Sequence, residues 1–160
     1  MDFSNLLFPL ALSVHALLAV IWVGGMFFAY MVLRPVAAQF LEPPQRLGQW
    51  QRVLGRFFRW VWLAAILLPA SGYWMMLEYY GGFGGVGWHV HVMQLLGIIM
   101  ILIFLHVFFA PYRRLSKNVK TENYPEAAKA LAQIRVLVGW NTIIGLVLIA
   151  VTTGLRYVTF

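Results

Sequence analysis

Four runs of apolar residues, roughly 6–33, 60–79, 88–111 and 136–155, divide the chain, and each has the ~20 residues a helix needs to cross ~30 Å of hydrocarbon. A fifth run of that length is absent from the sequence. Between the first two, Glu42-Pro43-Pro44 stops the first helix, and Gln49 to Phe58 alternates apolar and basic residues. That alternation predicts a helix lying along the membrane surface and leading into the second span. Between the last two, Glu122-Asn123-Tyr124-Pro125 reads as a turn, and the alanine-rich Glu126 to Leu131 predicts a helical extension of the fourth span. Gly81-Gly82-Phe83-Gly84-Gly85-Val86-Gly87 is a short flexible connection. The first run, about 28 residues long and opened by Met1, Asp2, Phe3 and Ser4 without a basic residue, exceeds a signal peptide and predicts a retained, tilted helix. The pattern as a whole predicts an all-α protein: one transmembrane domain over residues 1–160, built as an antiparallel four-helix bundle.

Composition agrees, since 62% of the residues are hydrophobic and 11% charged, which makes a lipid bilayer the natural solvent. Charge adds an orientation. Of the twelve Lys and Arg residues, all but Arg156 fall in the connections between the first two and the last two runs. Cytoplasmic loops retain such residues during insertion, so both N- and C-termini and the glycine-rich connection are expected on the periplasmic side. The net charge of +7 then reflects topology and attraction to anionic lipid headgroups, and argues against nucleic acid as a partner. Tyr and Trp gathered near the span ends, among them Tyr73, Trp74, Tyr79, Tyr80 and Trp88, need only the usual interfacial role. The absence of cysteine excludes disulfides and thiolate chemistry, leaving histidine and methionine as candidate ligands.

Four histidines are present: His15 in the first run and His89, His91 and His106 in the third. Ionisable groups inside a membrane are costly, and each marks a candidate site. Glu78 sits at the outer edge of the second run, and no deep carboxylate or lysine accompanies the histidines. That argues against a proton relay and for neutral imidazole as a metal or haem-iron ligand. Counting from span centres places His15 about 7 Å and His91 about 13 Å to the outer side, and His106 about 10 Å to the inner side. His91 and His106 fall within about 60° of one face of their helix, with His89 pointing elsewhere.

Two arrangements fit. In the first, haem b lies between the first and third helices with His15 and either His91 or His106 as axial ligands, for electron transfer to an unknown redox partner or a haem-linked oxidation. Trp22 would share the face of His15, Gly24-Gly25 would admit the macrocycle or a close helix, and Arg156 would pair with propionates. In the second, His89-Val90-His91-Val92-Met93 forms an outer-side copper site with Met75, Met76, His15 or His106, because imidazole and thioether suit copper. A third reading is a cofactor-free subunit of a larger membrane complex, with the histidines interfacial or hydrogen-bonding and the methionines packing. Asn141 and Thr142 are expected to hydrogen-bond across the bundle, and a homodimer fits so small a bundle with lipid-facing glycines.

The string His15-Ala16-Leu17-Leu18-Ala19-Val20-Ile21-Trp22-Val23-Gly24-Gly25 resembles the first-helix motif of the copper-resistance protein D superfamily, which includes the HemJ-type membrane protoporphyrinogen oxidases. Pro69-Ala70-Ser71-Gly72 and Gly87-Trp88-His89-Val90-His91 followed by His106 are similar in kind and order. The resemblance implies a small bacterial inner-membrane bundle, with His15 at the position of the family's first-helix histidine. It implies haem b at that histidine in the HemJ branch and copper uptake or tolerance in the copper-resistance branch. Met93 stands where the HemJ branch carries a lysine, so protoporphyrinogen oxidation is not carried over.

Overall fold

A computed structural model describes residues 4–154. Its described residues contain helices and turns and no strand. Four helical runs make up the bundle. The first, α1, joins α-helical Ser4–Phe28, a π-helical turn Ala29–Leu33 and α-helical Arg34–Phe40. Then come α2 over Pro43–Glu78, a single 3-10 turn at Phe83–Gly85, and α3, which joins Trp88–Val107, a π-helical turn Phe108–Tyr112 and Arg113–Lys120. The last, α4, covers Tyr124–Gly154. All four are long and apolar enough to cross a membrane, and the chain is a multi-pass membrane protein.

The breaks between helices follow from a few residues. Glu42 is extended, with ψ 153°, because the proline after it disfavours the helical region. Pro43 and Pro44 then occupy the first turn of α2, where a missing N–H costs nothing. After α2 the chain reverses through Gly81 and Gly82 at φ 71° and 100°, a region L side chains avoid. The two π turns adjoin or contain a proline, Pro35 in α1 and Pro111 in α3. Proline cannot donate to the preceding turn and its ring crowds that turn's carbonyl, and a local widening re-satisfies the backbone where no water is at hand.

The helices run further than the four apolar runs suggest. The stretch from Gln49 to Phe58, expected as a surface helix ahead of the second span, is the first half of α2 itself. That helix has 36 residues, about 54 Å at ~1.5 Å per residue, well beyond the hydrocarbon thickness. Its buried stripe of Leu47, Trp50, Leu54, Phe58 and Val61 continues unbroken from the basic segment into the span. Likewise α1 continues through Arg34 to Phe40 and α3 through Arg113 to Lys120, where connections were expected. Only residues 121–123 turn the chain into α4. The bundle therefore has a basic end, formed by helix extensions packed around Leu115, Ala127 and Ile134, and a glycine-loop end.

Packing is uneven along the bundle. α1 lies against α2, and α3 against α4, while α2 meets α3 mainly through the basic-end extension of α3. Lipid tails are as apolar as the side chains, so contact quality rather than water exclusion holds such helices together. The best contacts are aromatic: Phe104 packs edge-on to Trp22, Phe58 and Trp62 at centroid distances of 6.0, 5.6 and 5.3 Å. Each such pair adds roughly 1 kcal/mol. Small residues permit the closest approaches, since a Cβ on Gly25 would collide with Phe57 and one on Gly145 with Val23. Asn141 is buried and donates from Nδ2 to the Met100 carbonyl at 3.4 Å, across the α3–α4 contact as expected. Thr142 bonds within its own helix, to the Val138 carbonyl at 2.7 Å.

Candidate functional site

Because α2 and α3 part toward the glycine-loop end, a cleft opens between them, closed behind by α1 and α4. Its wall is mostly apolar, and its polar or metal-binding groups are few: His15, Tyr73 and Gln94, and the thioethers of Met76, Met93 and Met100. A large apolar pocket with a few convergent polar groups is the usual form of a binding site.

His15 is the best-defined of these groups. Its Nδ1 lies 2.9 Å from Ser71 Oγ. The Ser71 hydroxyl has a single proton, and its oxygen lies 2.6 Å from the Leu67 carbonyl and 3.1 Å from that of Leu68. The proton is thereby donated to the preceding turn of α2, and Oγ is left to accept from His15 Nδ1–H. That selects the tautomer with a free lone pair on Nε2, the arrangement of a metal-ligating histidine held by an outer hydrogen bond. Gly72 makes room for the ring: a Cβ there would sit 3.3 Å from His15 Cε1. Across the cleft, Gln94 on α3 donates to the Tyr73 hydroxyl on α2, bridging the two parted helices.

The third-helix histidines lie elsewhere. His91 and His106 are exposed, on one stripe of α3 with Leu95, Ile98, Leu102 and Phe109, turned away from the bundle. Their shared face is as expected, but it is the outward one. Val90, Met93, Gln94 and Gly97 occupy the inward face, and His91 follows Val90 by about 100° of helix rotation. His89 packs beside Gly87, where a Cβ would meet its ring, and lies edge-on to Trp88 at 6.3 Å. The described residues accordingly contain no group of three or more His, Asp or Glu side chains able to hold a metal. Trp22 is buried and lines the cleft with His15, as its spacing predicts. Arg156 lies outside the described residues.

Among models of protein families, the one described as Copper resistance protein D matches residues 51–155. The chain belongs to the copper resistance protein D family. The match takes in most of α2 and all of α3 and α4, including Ser71, Met76, Met93 and Met100, while His15 precedes it. No curated protein and no solved structure matches the chain. Membership reverses the order of the two cofactor expectations. The copper alternative is the one it favours, and the preferred haem b reading gains no support, since the cleft offers His15 no second histidine from α3.

Proposed function

We propose that this member of the copper resistance protein D family handles copper as its cargo, binding Cu(I) in the cleft at the glycine-loop end through His15 Nε2 and methionine thioethers. The observation that carries this reading is the hydrogen bond that holds His15 Nδ1 on Ser71 in a cavity that Met76, Met93 and Met100 also line. Imidazole and thioether are soft to borderline donors that suit Cu(I) and offer little to Mg²⁺ or Ca²⁺. An apolar wall with no carboxylate in it also favours a singly charged ion over a doubly charged one.

The proposed orientation puts the basic end in the cytoplasm and the cleft toward the periplasm of a bacterial inner membrane. Copper would then be met from outside. The arginines of the basic end repel a cation, so the cleft suits holding or presenting copper better than passing it straight through the bundle.

The test is competition for Cu(I) between the detergent-purified protein and a coloured Cu(I) chelator. Wild type is expected to take up about one Cu(I) per chain, with affinity lost in His15→Ala and in the Met76→Leu/Met93→Leu double variant. Equal Cu(I) retention by all three proteins would remove the cleft as the site. A Soret band in the same preparation, abolished by His15→Ala, would restore haem.

A further inference from the structure

A second, smaller cavity lies in the basic half of the bundle, and Trp22 forms part of the wall of both. Its lining is again nearly all hydrocarbon, with Met26, Leu54, Phe58, Phe104 and Ile134 among it, but two guanidinium groups enter it, Arg34 from α1 and Arg135 from α4. Neither has a carboxylate partner: the one ion pair among the described residues joins Lys129 to Glu126. Arg34 lies over the Tyr30 ring, 5.0 Å from its centroid, and the Nε of Arg135 is buried without a hydrogen-bond acceptor. Arg46 is near enough to act on Arg135 as a further positive charge.

An independent observation points the same way. Trp50, from α2, lines this cavity and is only 6% exposed, yet its indole Nε1–H has no acceptor. A buried donor without a partner costs roughly 1–3 kcal/mol, and a buried guanidinium N–H more. The lining offers one unpartnered acceptor, the neutral amide oxygen of Asn141, which cannot balance two positive charges. The donors of Arg34, Trp50 and Arg135, from three helices, share a need for an anionic oxygen supplied from outside the chain.

We infer that this cavity is a binding site for the head of an anionic amphiphile, its phosphate or carboxylate held by Arg34, Arg135 and Trp50 Nε1–H and its tail left in the surrounding bilayer. The nearly all-hydrocarbon lining decides for an amphiphile over a free anion, whose hydration water would lie against that hydrocarbon. A phosphatidyl headgroup in the leaflet at the basic end has this chemistry, and two guanidinium groups suit its non-bridging oxygens. The inference does not depend on copper, which is proposed for the other cavity.

The experiment is native mass spectrometry of the delipidated full chain titrated with phosphatidylglycerol or with phosphatidylcholine, alongside thermal shift with inorganic phosphate. Wild type is expected to bind one phosphatidylglycerol in preference to phosphatidylcholine. The Arg34→Gln/Arg135→Gln variant should bind it about tenfold more weakly, as loss of charge-assisted hydrogen bonds predicts. Trp50→Phe keeps an aromatic ring and removes the donor, and should weaken binding severalfold while leaving Cu(I) uptake unchanged. It carries the test should the double variant fail to fold. Equal binding of the two lipids, or undiminished binding by the folded variants, would overturn the site. Stabilisation by inorganic phosphate equal to that by the lipid would overturn the amphiphile and leave a free-anion site.

Discussion

If Ser71 acts on copper through His15, its replacement should weaken copper binding only while His15 is present. In Ser71→Ala the acceptor 2.9 Å from His15 Nδ1 is gone, and the imidazole loses both its orientation and its preference for a free Nε2. A neutral hydrogen bond of this kind is worth about 1 kcal/mol net, which is about fivefold in affinity. Outer-sphere partners of ligating histidines range from about 10- to 100-fold, with carboxylates at the strong end. A hydroxyl belongs at the weak end, so the expected loss in Cu(I) affinity is about five- to tenfold. The cost to the fold should not exceed that of the one α1–α2 hydrogen bond, about 1 kcal/mol, because the Ser71 bonds to Leu67 and Leu68 are back-bonds within α2 that add nothing to helix stability. The assay is chelator competition on the four proteins of a double-mutant cycle: wild type, Ser71→Ala, His15→Ala and both. Ser71→Ala should cost nothing further once His15 is absent, giving a coupling of about 1 kcal/mol. An equal loss in both backgrounds would refute the relay through His15.

Other consequences can be checked with single variants. Gly25→Ala should lower the melting temperature in detergent, at a cost of about 1–3 kcal/mol, because its Cβ would enter the Phe57 ring, whereas Gly24→Ala, with nothing within 4 Å, should leave it unchanged. His91→Ala and His106→Ala should retain wild-type Cu(I) uptake, measured by the same competition, since both side chains are on the outward stripe of α3. Gly72→Ala should weaken Cu(I) less than His15→Ala does, because its Cβ would stand 3.3 Å from the ring and shift it by only a few tenths of an ångström. Gly84→Cys should react with a membrane-impermeant maleimide in intact cells and Asn118→Cys only after lysis; the opposite pattern would invert the proposed topology.

The number of helices was legible because each crossing writes an apolar run into the sequence, and the bundle follows from four of them. Helix length was not, because hydropathy reports contact with lipid rather than backbone conformation. Residues 34–40, 43–59 and 113–120 are helical, and their basic residues made them look like connections. At the site, depth was legible and rotation was not. Counting along the spans placed His15 level with the outer part of α3, and Val90 and Met93 do line the cleft with it. All faces of α3 are apolar, so nothing in its sequence marked which side turned inward, and His91 sits one residue away from that side. Ser71 and Gly72 stood out only within a resembling string, since a serine hydrogen-bonded to a histidine 56 positions earlier leaves no local signal. The second cavity was equally silent: Arg34 and Arg135 read as topology signals, and only their convergence with Trp50 gives them another meaning.

The π turn at Ala29–Leu33 bears on that convergence, because it sits immediately before Arg34. A widened turn accommodates one residue more than an α-helix would in the same length, so everything beyond it is out of phase with the glycine-loop half by about 100°. The two halves of α1 are thus indexed separately, like two sections of a shaft joined at an offset key. Removing one residue from 29–33 would take up the surplus and leave both His15 and Arg34 at their stations, whereas adding one would turn Arg34 away from its cavity by about 100°. An insertion at this point can therefore retune one chamber of the protein without disturbing the other, and a deletion is absorbed.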